Sequence, residues 1–130
     1  MKTATPRPVD AKQLSEAGLR AFFRIADHWE LSARDQQILL GVQAPSTFFK
    51  WKKDPRVRLP HDALERISYL LGIFKDLDIL LPDPEAADRW VRQPNDAQPF
   101  GGRSALDLML QGQMIDLFMV RQYLDRQRDS

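Results

Sequence analysis

Two stretches of this 130-residue chain carry side chains whose types and spacing could do chemistry. The first runs from 43 to 58. Gln43, Ser46, Thr47 and Lys50 lie at the start of a segment that Pro45 opens, and Lys52, Lys53, Arg56 and Arg58 follow at once. Amides, hydroxyls and an ammonium near a helix start can hydrogen-bond base edges, while a trailing cluster of Lys and Arg neutralises phosphates. The chain's net charge of +1 conceals a local imbalance: residues 31–60 hold six basic and two acidic groups, whereas everything after Pro60 sums to −4. An anionic partner for the middle segment alone accounts for that asymmetry, and a merely solvated face is the competing explanation. The second stretch is the chain's end, where Arg121, Tyr123, Leu124, Asp125, Arg126, Arg128 and Asp129 interleave charges of both signs. That pattern suits either a polar contact surface or a frayed helix end.

Catalytic chemistry finds little to stand on. Zero cysteines exclude disulfides, Cys-bound zinc, iron–sulfur clusters and a thiol nucleophile. His28 and His61 have no second His at ligand spacing, and His61-Asp62 reads as a helix cap. Gly101-Gly102 follows no strand and fits no phosphate loop. The pairs Asp76/Asp78 and Asp83/Glu85 flank turns or helix starts, where acidic residues are ordinary. No enzyme, metal or cofactor is therefore expected. No apolar run approaches the roughly 18–20 residues of a bilayer span, and the N-terminus lacks the apolar stretch of a secretory signal. The expected compartment is the cytosol, with no membrane partner.

The elements that must position these residues read as helices throughout. Residues 1–10, with Pro6 and Pro8, read as a flexible arm. Leu14, Gly18, Phe22, Ile25 and Trp29 recur at spacings of four and three, which predicts one face of a helix over about 11–30. Ser32 caps a second helix that Gly41 ends. Pro45 opens a third, running to about Lys53. A fourth runs from Pro60 to about Phe74, after which Leu77, Ile79, Leu80 and Leu81 tuck under the bundle. Pro84 begins a short helix holding Ala86, Ala87 and Trp90. Residues 93–103 are turn-rich, Ser104 caps a helix that ends at Gly112, and the last helix spans about 113–127 with Met114, Leu117, Val120 and Leu124 as its stripe. Without any sustained period-two alternation the chain is all-α.

Segment 32–53 has the form of a helix-turn-helix: a helix ending Leu-Gly-Val, a turn, and a short helix that Phe48 and Trp51 hold against the first. Two features depart from the usual pattern. The turn is one residue longer, and Gln37 stands where a small Ala is common. An exposed Phe49 would point to protein contact instead of DNA. Met109, Met114, Phe118 and Met119 exceed what a small helix pair can bury and suggest an interface.

The C-terminal residues carry a more specific signal. Trp90, Pro94-Asn95, the run Phe100-Gly101-Gly102-Arg103-Ser104-Ala105-Leu106, Gly112, and Arg121-Gln122-Tyr123-Leu124-Asp125 occur in that order, closing at the terminus. The set resembles the toxin-binding domain of the Xre/MbcA/ParS antitoxins. Ser104-Ala105 stands where many members have Thr-Pro, and Ser104 keeps the capping oxygen. The resemblance implies a protein inhibitor of a RES-domain toxin, an enzyme that degrades NAD, with the toxin's NAD pocket occluded by the C-terminal segment. It points to Arg103, Met119, Arg121, Tyr123, Leu124, Asp125 and Arg128 as toxin-binding residues.

The expected layout is an arm (1–10), a helix-turn-helix-like DNA-binding domain (11–81) and a toxin-binding domain (82–130). The expected partners are operator DNA, the toxin, and a second copy of the chain or a hetero-oligomer with the toxin. The alternative is a stand-alone helix-turn-helix regulator without any toxin.

Overall fold

The computed structural model describes residues 10–130; the expected arm lies outside the described residues, except for Asp10. That residue is no longer arm: its carboxylate accepts the backbone N–H of Lys12 at 2.9 Å and caps the first helix. Seven helices follow among the described residues: α1 (Ala11–His28), α2 (Ala33–Leu40), α3 (Pro45–Lys53), α4 (His61–Leu80), α5 (Pro84–Trp90), α6 (Ala105–Met109) and α7 (Met114–Asp129). The all-α expectation holds. An isolated antiparallel bridge between Pro94 and Ser104 is the one extended backbone pairing among the described residues.

The buried face of α1 is Ser15, Leu19, Phe22, Ile25 and Ala26, with Trp29 just beyond. Leu14 is exposed, one step off the expected stripe, because the buried Ser15 hydroxyl takes its place facing inward. There it accepts the Leu59 backbone N–H at 2.9 Å, pinning the loop after α3 to α1. A buried donor left unpaired costs about 1–3 kcal/mol, so this polar residue holds its inward position by satisfying one.

Helix α4 is longer than its sequence suggested and runs six residues past Phe74. Asp76 read as flanking a turn, yet it is 1% exposed and Leu77 lies beside it in the core. The extension makes α4 the central element, packed against α1, α2, α5 and α7. Ile79, expected to tuck inward, is exposed. Asp62 does not cap this helix; its carboxylate accepts Arg66 Nε at 3.0 Å one turn along. One set of contacting buried apolar residues runs from Leu19 through Leu70 and Ile73 to Leu124, so both halves of the chain share a core.

Candidate functional site

Helices α2 and α3 meet at a turn built by three residues. Gly41 adopts φ +71°, a left-handed conformation that costs a side-chain-bearing residue strain, and a Cβ there would lie 2.7 Å from Arg66 Nε. Gln37 explains both departures noted in the sequence. It is buried, and its side-chain amide donates to the carbonyls of Val42 at 3.2 Å and Gln43 at 3.4 Å. The larger residue thus supplies the donors that a longer turn needs. Pro45 at the first position of α3 gives up no hydrogen bond there, and Phe48 and Trp51 face the core.

Ser46, Phe49, Lys50 and Lys53 recur at spacings of three and four, share the outward face of α3, and are all exposed. Gln43 is exposed at the turn, and Thr47 is half-buried on the flank of that face. Phe49 is 54% exposed, the condition under which the sequence favoured protein contact. The trailing cations divide. Lys52 leans back so that its Nζ sits 4.9 Å from the Phe23 ring centre, on the α1 side of the helix. Arg56 closes on Asp54 through Nε at 2.9 Å and a second guanidinium nitrogen at 3.1 Å. Those hydrogen bonds hold the Asp54 carboxyl below its ordinary range and raise Arg56. Lys50, Lys53 and Arg58 are exposed and, among the described residues, have no acidic partner.

In the C-terminal half, the ordered motif residues converge. Asn95 donates its backbone N–H to the Arg103 carbonyl at 3.1 Å, and Gly102 donates to the Asn95 carbonyl at 2.8 Å, closing the loop 94–104. Gly101 and Gly102 carry positive φ at its tip. The closed loop drives Phe100 inward, edge-on to Trp90 (5.8 Å) and to Tyr123 (5.0 Å). Ser104 accepts the Asp107 backbone N–H at 3.0 Å and starts α6 as expected. Arg103 is exposed at the loop's edge.

The tail is less free than its sequence implied. Leu124 is 2% exposed and belongs to the core, and Tyr123 is half-buried in the aromatic trio. Arg121 lies across α4, donating to the Ser68 carbonyl at 3.3 Å. It sits so close to Gly72 that a Cβ there would be 2.5 Å from its guanidinium carbon. Arg128 donates to Asp76 Oδ1 at 3.0 Å. Arg121, Tyr123, Asp125 and Arg128, whose pattern suited a polar contact surface or a frayed helix end, are each engaged within the chain. Met109, counted as surplus apolar surface, is fully buried. The outer face of α7 instead carries Ile115 at 51% and Phe118 at 39% exposure, with Met119 half-buried beside them and Gln122 and Arg126 continuing the ridge.

Asp76 is the residue that sequence reasoning missed. Its Oδ2 is buried with no hydrogen-bond donor described, and the Asp125 carboxyl lies next to it. The hydrogen bond to Asp76 pushes the Asp125 pKa up, with burial and the Asp76 charge adding and Arg121 opposing. Because the folded state holds this proton more tightly, the stability it contributes is full below the ordinary carboxylate range and is lost as pH rises through the raised value. Asp125→Asn supplies a permanent donor to Asp76. It is expected to raise Tm at pH 7 and to flatten the fall in stability as pH rises through the raised value, read by thermal unfolding across pH. A Tm at pH 7 equal to or below the parent's would show that no proton is shared.

A second polar bridge links the two halves. Arg66, almost fully buried, holds Asp62 through Nε and donates to the Gly112 carbonyl at 3.0 Å, so one guanidinium braces both the α2–α3 turn and the start of α7.

A helix-turn-helix fused through a shared helix to a small helical domain defines a two-part class of protein. Residues 8–72 match the antitoxin Xre-like helix-turn-helix domain, and residues 76–129 match the antitoxin Xre/MbcA/ParS C-terminal toxin-binding domain. The chain belongs to this antitoxin family. It is also 58% identical over 112 residues to the uncharacterized protein y4oB of Sinorhizobium fredii (strain NBRC 101917 / NGR234), covering 86% of this chain and 84% of that protein. Among the described residues no helix is long and apolar enough to cross a membrane.

Proposed function

We propose that this chain is the antitoxin of a type II pair whose toxin is a RES-domain, NAD-degrading enzyme, and that it occludes the NAD site while repressing its own operon. The observation that carries the reading is the division of α7. Its inner face is consumed by the core, and its outer face presents Ile115, Phe118 and Met119 within the toxin-binding domain. Exposed apolar side chains on a domain whose family binds protein are the natural docking surface. Arg103, on the loop packed beside α7, and the polar heads of Arg121, Asp125 and Arg128 at its end frame that surface. Leu124 and Tyr123 act from behind it by fixing the helix. The RES enzyme as partner rests on the resemblance of the Trp90-to-Asp125 motif set. Co-expression with a RES-domain, NAD-degrading enzyme is the test. Growth and cellular NAD are expected to be restored and the two chains to co-purify; continued NAD loss with no complex would remove the reading.

Repression rests on the outward ridge of α3 and on Gln43 at its turn, with two copies of the chain seated on paired half-sites. Lys50, Lys53 and Arg58 are the phosphate-facing cations, with Lys52 and Arg56 secondary because each is engaged within the chain. Affinity for the DNA upstream of the gene is expected to fall by roughly 0.9 log units per log unit of salt for each phosphate contact. Changing both Lys50 and Lys53 to Ala should flatten the slope by about two such contacts per copy and weaken all sequences alike. A mobility-shift titration in which that double variant keeps the parent slope would place the phosphates elsewhere.

A further inference from the structure

The feature of α3 that the DNA reading leaves unexplained is Phe49. An aromatic ring more than half exposed in the middle of a polar, cationic ridge leaves apolar surface that a ligand could cover. We propose that Phe49 is a sequence-reading residue whose ligand is the 5-methyl group of a thymine in the major groove; this rests on the repressor reading above.

Three observations carry it. The first is the company Phe49 keeps. Its neighbours on the outward face are Ser46 and Lys53, one turn either way, and the adjoining Lys50, all exposed. Lysine is depleted in the cores of protein–protein interfaces and abundant where phosphates are met, so the ring sits in surroundings suited to a nucleic-acid groove. The second is its support. Phe49 packs edge-on against Phe48 at 5.2 Å, Phe48 against Phe23 at 6.2 Å, and Phe23 against Phe22 at 5.6 Å, each with planes near perpendicular. Phe48 and Phe22 are fully buried. This column reaches from the core to the surface and restricts the outermost ring before any ligand arrives, which lowers the ordering cost of binding. The third is chemical fit. In the major groove the thymine methyl is the apolar feature that the four base pairs use to differ, and phenylalanine is among the side chains able to cover it. Gln43, Ser46 and Thr47 supply donors and acceptors but no comparable apolar surface.

The test removes the methyl group alone. The binding site within the DNA upstream of the gene is located by footprinting, and two duplexes of that sequence are compared, one natural and one with deoxyuridine at the protected thymines. The full-length parent chain is expected to bind the natural duplex about four-fold more tightly for each methyl covered, the factor that burying one such group gives. Phe49→Ala is expected to stay folded and to bind both duplexes alike while keeping the parent's salt slope. Phe49→Leu, which keeps an apolar cap, is expected to recover part of the discrimination. Equal affinity of the parent for the two duplexes overturns the inference and leaves repression standing. So does a Phe49→Ala variant that discriminates as well as the parent. A variant that instead loses self-association or toxin binding, with discrimination intact, reassigns the ring to a protein contact. Absence of any salt-sensitive binding by the parent chain overturns the repressor reading itself.

Discussion

Phe100→Ala is expected to cost about 3–5 kcal/mol, the range for removing a fully buried aromatic ring. That is a large part of the 5–15 kcal/mol that stabilises an ordinary domain. Phe100 is fully buried and is the ring that both Trp90 and Tyr123 meet edge-on, while those two stack on one another at 6.3 Å. Each such pair contributes about 0.5–1.5 kcal/mol beyond its buried area, so the deletion forfeits two pairings as well as a cavity's worth of packing. The effect should not stay local. Because α4 serves both halves, a single unfolding transition is expected to move, carrying the helix-turn-helix with it. Toxin binding should fall at physiological temperature although no exposed side chain has been touched. Arg103→Ala, three residues along the same loop but exposed, is the control and should leave the midpoint within about 0.5 kcal/mol. A Phe100→Ala midpoint equal to the parent's would show that the trio does not hold the domain together.

That expectation bears on what the sequence could disclose. The residues that carried the family resemblance, Trp90, Pro94-Asn95, Phe100-Gly101-Gly102, Ser104 and Tyr123, turn out to build the scaffold: a loop closed on itself, a cap and an aromatic cluster. Such requirements are local and fix residue type strongly, which is why they were legible. The helices around them were legible for the same reason, since the caps at Ser32 and Ser104 and Gly41 at a helix end each satisfy a nearby backbone group, and Pro45 at a helix start lacks the N–H that would go unpaired there. The pairing of Asp76 with Arg128, 52 residues apart, leaves no comparable trace. Nothing near Asp76 marks it as buried, so α4 read as ending there and Arg128 read as free. Gln37 was visible as an anomaly, but its role needed the carbonyls of Val42 and Gln43 in place. Ile115 was passed over because a lone exposed Ile gives no periodic signal, and the partner that would explain it is another chain.

The largest effect on protection is expected from the outer face of α7. Ile115 and Phe118 are three residues apart on one face and neither belongs to the buried core. Phe118 meets Tyr69 edge-on at 5.9 Å, which holds its ring in place at the cost of little fold stability. Changing both to Glu puts two charges where an apolar partner surface would have to cover them. Desolvating those charges without a counterion is unfavourable, and two centrally placed contacts at about 2 kcal/mol each correspond to an affinity loss on the order of a thousand-fold. Under the proposed pairing with a RES-domain toxin, co-expressing cells should then lose both growth and NAD, while purified Ile115→Glu/Phe118→Glu protein stays folded, its midpoint lowered by no more than the lost Phe118–Tyr69 pairing, and behaves as the parent toward DNA. The tail is the weaker probe. Arg128→Ala leaves Asp76 buried without its cation, so a variant lacking Arg121, Asp125 and Arg128 together loses stability before it reports on contact. The distinction is measurable, because a stability defect is relieved by lowering the temperature and a lost interface is not. If the folded Ile115→Glu/Phe118→Glu protein still co-purifies with the toxin and still prevents NAD loss, the toxin docks on another face of the domain.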